Sequence, residues 1–135
     1  MRYTAEDFRR LSLAAFPEVQ DWFEENKDLL HVQMGALASI AQRAKGDGDW
    51  GTYRRVIELA EKLYTNPDSE LENALNVSFL EHLDFEGPTG GTAWELMTPR
   101  LKAGWTAMEQ YLDDLFDSKH GRKPRGKAGR PRRKT

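Results

Sequence analysis

The sequence predicts an all-α protein, a single compact bundle of five to six helices followed by a disordered basic C-terminal tail. Apolar residues recur every three or four positions along most of the chain, and strict alternation of apolar and polar residues is almost absent. Residues typical of helix ends follow one another at helical intervals. The 135 residues suffice for one hydrophobic core, so we divide the chain into an acidic helical domain, 1–118, and a tail, 119–135.

Three helices are expected in the first third of the chain. Thr4 has the side chain of an N-cap, and acidic residues follow it in the first turn, where the helix dipole favours them. Pro17 suits the first position of a second helix, which ends near Asn26 and whose apolar stripe includes Trp22. Asp28 is the predicted N-cap of the third helix, which ends near residue 45.

The remaining helices follow the same signals. A fourth helix is expected over about 50–64, and a fifth over 69–85, where apolar residues on almost every side are typical of a helix at the centre of a bundle. Glycines predict a flexible loop at 87–91, and 93–97 is expected to form a short turn. A Thr-Pro pair opens the last helix, 99–117. The residues that this helix is predicted to bury are Leu101, Trp105, Met108, Leu112 and Leu115.

Charge is segregated along the chain. The tail holds nine Lys and Arg and no acid, whereas the body holds eleven Lys and Arg against all twenty-two Asp and Glu, so a net charge of −2 combines a body of −11 with a tail of +9. Such blocks stay solvated and act as interaction arms, which predicts that the tail contacts DNA, RNA or another polyanion. The predicted nucleic-acid-binding residues are Arg122, Lys123, Arg125, Lys127, Arg130, Arg132, Arg133 and Lys134.

The end of the tail resembles an AT-hook, a short motif that lies extended in the minor groove of A/T-rich DNA. Gly129, Arg130 and Pro131 match its core, while Ala128 stands where the usual core has an arginine. Arginine favours the narrow minor groove of A-tracts because the negative potential is enhanced there. With one of the two groove-inserted arginines missing, the resemblance implies only a weak preference for A/T-rich sequence. The alternative is a solubilising terminus without a partner.

A second charge feature lies in the body, where no Lys or Arg occurs between Lys62 and Arg100. Acidic residues in that stretch predict a negative surface that binds a cationic protein partner. The sequence leaves two candidates for this cationic partner. One is a basic protein, such as a nuclease toxin that an immunity-like protein neutralises, and the other is the tail of this chain itself. An ordinary solvated acidic face is the alternative. The predicted partner-binding residues are Asp68, Glu70, Glu72, Asp84 and Glu86.

The segment 73–83, with the sequence NALNVSFLEHL, resembles a family of small uncharacterised all-helical bacterial proteins. The resemblance covers about 16–116, and its most specific part is 77–81, VSFLE. It implies a helical fold and a bacterial origin. It implies no activity and transfers no catalytic residue.

Polar residues interrupt the apolar pattern of the fifth helix. They are expected to tie neighbouring helices together, because polar groups buried in a bundle need hydrogen-bond partners. These residues are Asn73, Asn76, Ser78, Glu81 and His82.

Arrangements that carry chemistry are sparse. None of the three histidines, His31, His82 and His120, lies three or four positions from another, and the chain has no cysteine and no phosphate-binding glycine motif. We therefore expect no enzyme activity, no cofactor and no metal. The alternative is a polar pocket beside His82, which a polar cavity at that residue would favour and a sealed core would exclude.

These patterns together predict a non-catalytic helical interaction module. Its acidic body binds a protein partner, and its basic tail contacts nucleic acid or another polyanion. The alternatives are an immunity-like protein and a DNA-binding accessory or regulatory protein. Charges occur every few residues near the N-terminus and no apolar run is long enough to span a membrane, so we expect a cytoplasmic protein without membrane contact.

Overall fold

The computed structural model describes residues 2–120, and the side chains as far as Leu115. Within them the fold is a compact all-α bundle, as predicted, with seven α-helices rather than five or six. The additional helix is a short one before the last, and the predicted fifth helix is interrupted. The helices are α1 (Ala5–Ala15), α2 (Gln20–Glu25), α3 (Leu30–Asp47), α4 (Trp50–Tyr64), α5 (Ser69–Ala74), α6 (Gly90–Leu96) and α7 (Pro99–His120).

The N-terminus is attached to the bundle at two points. Thr4 caps α1, as predicted, in a reciprocal capping box with Asp7. Just before it, the backbone N–H of Tyr3 donates to the carbonyl of Asn66, and the N–H of Asp68 donates back to the Tyr3 carbonyl, both at 2.8 Å. These bonds hold the start of α1 against the connection between α4 and α5.

The prediction that Asp28 caps the third helix is wrong. Asp28 adopts a left-handed backbone conformation with φ of 65°, and α3 begins two residues later. Asp tolerates this conformation better than most residues. The turn is closed by Gln33, whose Nε2 donates to the carbonyls of Phe23 and Asn26 at 3.2 and 3.1 Å. The chain must therefore reverse sharply before α3 can start.

The core lies between α1, α3, α4 and the helices that follow them. Phe8, Met34 and Tyr53 are completely buried there. α4 has the predicted bounds, and its buried Tyr53 hydroxyl donates to the carbonyl of Ala93 at 2.9 Å. This bond satisfies the one polar atom of a large core side chain and attaches α6 to α4.

The predicted fifth helix is not a regular helix surrounded by the core. After α5 it continues as a π-helical turn (Leu75–Phe79) and a 3₁₀ turn (Leu80–His82). Phe79 and Leu80 are both fully buried, whereas Val77 is 43% exposed. The extra residue in the π turn changes the helical spacing, so that the consecutive residues Phe79 and Leu80 both face the core while Val77 faces outwards.

The predicted loop and short turn before the last helix are partly wrong, because α6 begins inside them at Gly90. A β-carbon at Gly90 would lie 1.9 Å from the carbonyl oxygen of Phe85, so only glycine permits this close approach. Beside it, Phe85 packs edge-on against Trp94 and Trp105, with ring centroids 5.0 and 5.2 Å apart. This aromatic cluster anchors α6 and α7 to the bundle.

The last helix starts at Pro99 as predicted, but only its first half is buried. Leu101 and Trp105 are in the core, Met108 is partly buried, and Leu115 is 50% exposed. The prediction that Leu115 is buried is therefore wrong. The α7 backbone also continues to His120, into the segment assigned to the tail.

We expect Gly90→Ala to lower the free energy of unfolding by roughly 1–3 kcal/mol, because the new β-carbon overlaps backbone atoms of Phe85 that cannot move independently. Gly91→Ala is the matched control, since a β-carbon there meets nothing within 4 Å. Urea denaturation of the two variants measures the difference. Equal midpoints for both variants would show that the contact between residues 85 and 90 relaxes freely.

Candidate functional site

A groove of about 770 Å³ runs along the outer face of α3, and we call it the α3 groove. Its floor follows the helical repeat of α3, and its walls come from the segment before and within α2, from the start of α4 and from His82. The floor residues are Val32, Gly35, Ala36, Ser39, Ile40, Arg43, Ala44 and Asp47. The wall residues are Glu18, Val19, Trp22, Asp49, Thr52 and His82.

The wall formed by α2 is fixed at both ends. At one end the Gln33 side chain holds the carbonyls that close α2. At the other end Arg55 of α4 donates to the carbonyl of Ala15, and its guanidinium lies 4.5 Å from the ring centroid of Phe16. Both sets of contacts join this wall to helices that border the groove. The shape of the groove is therefore fixed by the fold.

The α3 groove combines exposed apolar surface with charge. Trp22 and Val32 are 46% and 40% exposed, which is unusual for residues of their type. Hydrogen bonds from the side chain and backbone of Thr52 hold the pKa of Asp49 below its usual range, so Asp49 is ionised at neutral pH. Asp47 stands close by in the chain, at the C-terminal end of α3. An open hollow of this kind suits the binding of a polypeptide segment.

Sequence reasoning did not identify the α3 groove. The spacing of apolar residues places Trp22 in the stripe of the second helix, but spacing alone does not show whether such a stripe is buried or exposed. The sequence signal for the groove is the run of small residues at 35, 36 and 39, which leaves part of the outer face of α3 without bulky side chains.

His82 borders the α3 groove, so the space needed for the enzymatic alternative is present at this residue. The rest of a catalytic arrangement is not, since within the described residues His82 makes no hydrogen bond to a carboxylate or hydroxyl. The hydroxyl–imidazole pair that does form joins Ser78 and His31, with 2.6 Å between Oγ and Nδ1. Ser78 is 7% exposed, so its side chain is largely covered by the fold.

Two of the polar residues on the predicted fifth helix tie helices together, as expected. Ser78 bonds to His31 at the start of α3, and Asn76 accepts a 2.7 Å hydrogen bond from the Tyr64 hydroxyl of α4. Burial, together with the charge of Glu72, raises the pKa of Tyr64, which keeps this hydroxyl protonated as a donor. The other three polar residues are exposed, contrary to the expectation that this helix is largely buried. They are Asn73, Glu81 and His82.

The acidic residues predicted to bind a partner lie in two groups, at opposite ends of the helical run 69–82, which is about 20 Å long. Asp68 caps α5 because its carboxylate accepts a hydrogen bond from the N–H of Leu71. One of its carboxylate oxygens is therefore already bonded within the fold. Glu70, Glu72 and Glu86 are exposed. The structure thus divides the predicted acidic surface, and partner binding by these residues stays a prediction.

Asp84 accepts several hydrogen bonds and forms an ion pair with a buried lysine. Lys45, which is 7% exposed, donates to its carboxylate at 2.8 Å and to its carbonyl at 3.0 Å, and Gln42 donates to the second carboxylate oxygen. Burial acts to raise the pKa of Asp84, but these bonds and one from the N–H of Glu86 lower it overall. The contact connects α3 to the segment that follows the 3₁₀ turn.

The predicted nucleic-acid-binding residues, 122–134, lie outside the described residues. Among those that are described, no group of three or more His, Cys, Asp or Glu side chains is arranged to hold a metal ion. Each helix within 2–120 is too short or too polar to cross a membrane.

A family model described as a domain of unknown function, DUF7674, matches residues 9–113. The match includes α2, α3 and α4, and therefore the whole α3 groove, and it ends before the basic tail. It agrees with the predicted resemblance to an uncharacterised family. Neither the curated proteins nor the solved structures include a significant match to this chain.

We expect Asp84→Asn to destabilise the protein by about 1 kcal/mol at pH 7, because Lys45 is left buried without a counter-charge while Asp84 itself is half exposed. The pKa of Asp84 is lower in the folded protein than its ordinary 3.8, so the contribution is present above that value and is lost as the pH falls through the folded pKa. Denaturation at pH 7 and at pH 3 measures it. Glu86→Gln is the control, and a wild-type advantage over Asp84→Asn that persists undiminished in strong acid would contradict this account.

Proposed function

We propose that this chain, which belongs to the DUF7674 family, is a non-catalytic interaction module whose helical body binds a protein segment in the α3 groove and whose basic tail contacts nucleic acid or another polyanion. The observation that carries the proposal is the α3 groove itself. It is an open hollow with an exposed tryptophan, built on helices whose positions are fixed by hydrogen bonds.

The shape of the α3 groove supports binding of a helix rather than of a small molecule. The floor spans 32–47, which corresponds to about 24 Å of α3, or four helical turns. Gly35, Ala36 and Ser39 leave room for another helix to approach closely. Trp22 offers the large, rigid contact area that binding hot spots favour.

The arrangement of hydroxyl and imidazole groups supports binding over chemistry. Ser78 and His31 are within hydrogen-bond distance but are used to join the π turn to α3, and Ser78 lies outside the residues that line the groove. His82 lines the groove, and within the described residues it forms no hydrogen bond that would orient its ring. A catalytic nucleophile requires both access and an oriented base.

The tail supports the second half of the proposal by its charge and position. Nine cations within seventeen residues favour phosphate binding through release of counterions, whatever the sequence of the nucleic acid. The tail also lies beyond the residues that match the family, 9–113. We therefore treat the tail and the helical body as separate binding elements. The incomplete AT-hook implies a weak preference for A/T-rich DNA.

Peptides selected from a displayed library of amphipathic helices are expected to bind the α3 groove. Ser39→Arg fills the floor of the groove and should weaken binding of the selected peptides at least about tenfold. Glu58→Arg, an exposed change on α4 outside the groove, is the control and should leave affinity unchanged. Selected peptides that bind both variants equally would place the binding surface elsewhere.

The full chain is expected to bind DNA duplexes with an affinity that falls steeply with salt. Replacing Arg130, Arg132, Arg133 and Lys134 by Gln should reduce the slope of log affinity against log salt by as much as about 3.6, since each phosphate contact contributes about 0.9. Fluorescence anisotropy with A/T-rich and G/C-rich duplexes at several salt concentrations measures both the slope and the preference.

The matched control for the tail removes the same charge from exposed positions of the body. Its four substitutions to Gln are at Arg2, Lys27, Arg54 and Lys62. If the control lowers the salt slope as much as the tail variant does, the tail is not the nucleic-acid arm.

A further inference from the structure

We infer that the segment bound in the α3 groove is the C-terminal half of α7 from a second copy of this chain, so that two copies exchange these helices in a reciprocal dimer. The inference rests on the proposed function, because it names the occupant of the same groove. It follows from two uncovered surfaces of one chain that match each other in length and in the size of their side chains.

The first uncovered surface is the end of α7. Leu101, Trp105, Met108, Leu112 and Leu115 follow one another at intervals of four and three, which is the spacing of a continuous stripe on one helix face. The core covers the first two of these residues. Farther along, Leu115 is 50% exposed, and Tyr111 beside it is 63% exposed. The apolar stripe therefore continues past the point at which the body ends.

The exposed part of α7 cannot reach the groove of its own chain. α7 is an unbroken helix of 22 residues, and its first half is fixed by Trp105, whose indole N–H donates to the carbonyl of Leu83 at 3.3 Å. A helix held in this way has no joint at which its second half could turn back onto α3. Within the described residues nothing covers the end of this stripe, so we assign its cover to another molecule.

The second uncovered surface, the α3 groove, has dimensions that fit this helix. The part of α7 from Met108 to His120 is about 20 Å long, against about 24 Å for the groove floor. The exposed side chains of Tyr111 and Leu115 are large, while the middle of the groove floor is built of the small residues Gly35, Ala36 and Ser39. Large side chains on one helix and small ones on the other allow close packing.

A reciprocal exchange covers both grooves and both α7 ends with one two-fold axis, which is the commonest symmetry of protein dimers. It also joins two basic tails in one particle. Two linked tails bind a polyanion more tightly than one, because the second contact forms within the complex.

The test is the mass of the full chain in solution, measured by size-exclusion chromatography with light scattering over a range of concentrations. The wild type is expected to form dimers. Leu115→Glu, which places a charge on the exposed stripe, and Ser39→Arg, which fills the groove, should each raise the dimer dissociation constant at least about tenfold. Both residues are exposed, and thermal unfolding followed by circular dichroism checks that the variants fold. Thr106→Glu, on the opposite face of α7, is the control and should dimerise as the wild type does.

Mixing the two variants discriminates between kinds of contact. Leu115→Glu keeps an intact groove and Ser39→Arg keeps an intact α7 end, so an equimolar mixture should form heterodimers through the one contact that remains. A dimer made by pairing two α7 ends would tolerate Ser39→Arg, and one made by pairing two grooves would tolerate Leu115→Glu. Either result overturns the inference.

A wild-type chain that remains monomeric up to about 1 mM also overturns the inference. The proposed function then stands or falls separately, on whether selected helical peptides bind the groove of that monomer.

Discussion

The rotation of α3 about its own axis is the constraint on which the rest of the structure depends. One face of this helix completes the core and the opposite face is the floor of the groove, and a shift of one residue would turn each face by about 100°. Two long polar side chains fix the rotation. Gln33, 1% exposed, donates to the carbonyls that end α2, and Lys45, 7% exposed, donates to Asp84. Since a buried polar group without a partner costs more than its bond contributes, other rotations are penalised at both ends of the helix.

The π turn extends this control to the neighbouring helices. It is one turn long, yet Asn76 accepts from Tyr64 of α4 and Ser78 bonds to His31 of α3. Side chains two positions apart in a helix point in different directions, so each can reach a different neighbour. The apolar residues that follow them, Phe79 and Leu80, are both buried in the core. Polar and apolar contacts therefore agree on one arrangement of α3, α4 and the turn, which is the consistency expected of a sequence that specifies one structure.

Local chemistry explains what could be predicted from the sequence. Thr4 and Asp7 form a capping box within four residues, and α4 lies between an Asp cap and an Asn-Pro pair, so neither depends on distant contacts. Asp28 has a suitable cap side chain too, but the demand for a sharp reversal, set by Gln33 and the end of α2, overrides that preference. Spacing alone also groups Leu115 with the buried residues of α7. An apolar stripe shows which face of a helix is apolar, but it does not show how far along the helix the rest of the protein covers that face.

The groove could not be predicted for a related reason. It is assembled from segments around 18–22, 32–47 and 49–52 together with residue 82, and their meeting depends on how whole helices pack. Trp22 shows the difficulty clearly. Its neighbour Phe23 is 4% exposed and Trp22 is 46% exposed, yet both are large aromatic residues on a short helix. Phe23 is covered by distant elements, among them Phe8 of α1, whose ring centroid lies 5.6 Å away.

The helix that carries the tail also bears on whether the tail is the ligand of its own acidic body. From Trp105, the last residue of α7 in the core, the helix continues for 15 residues to His120, which corresponds to about 22 Å. The Debye length at physiological ionic strength is about 8 Å, so the core exerts little electrostatic attraction on the point where the tail begins. Of the acidic residues predicted to bind a cationic partner, Asp84 is already paired with Lys45. The core therefore has little hold on the start of the tail, which supports the proposal that the tail contacts an external polyanion.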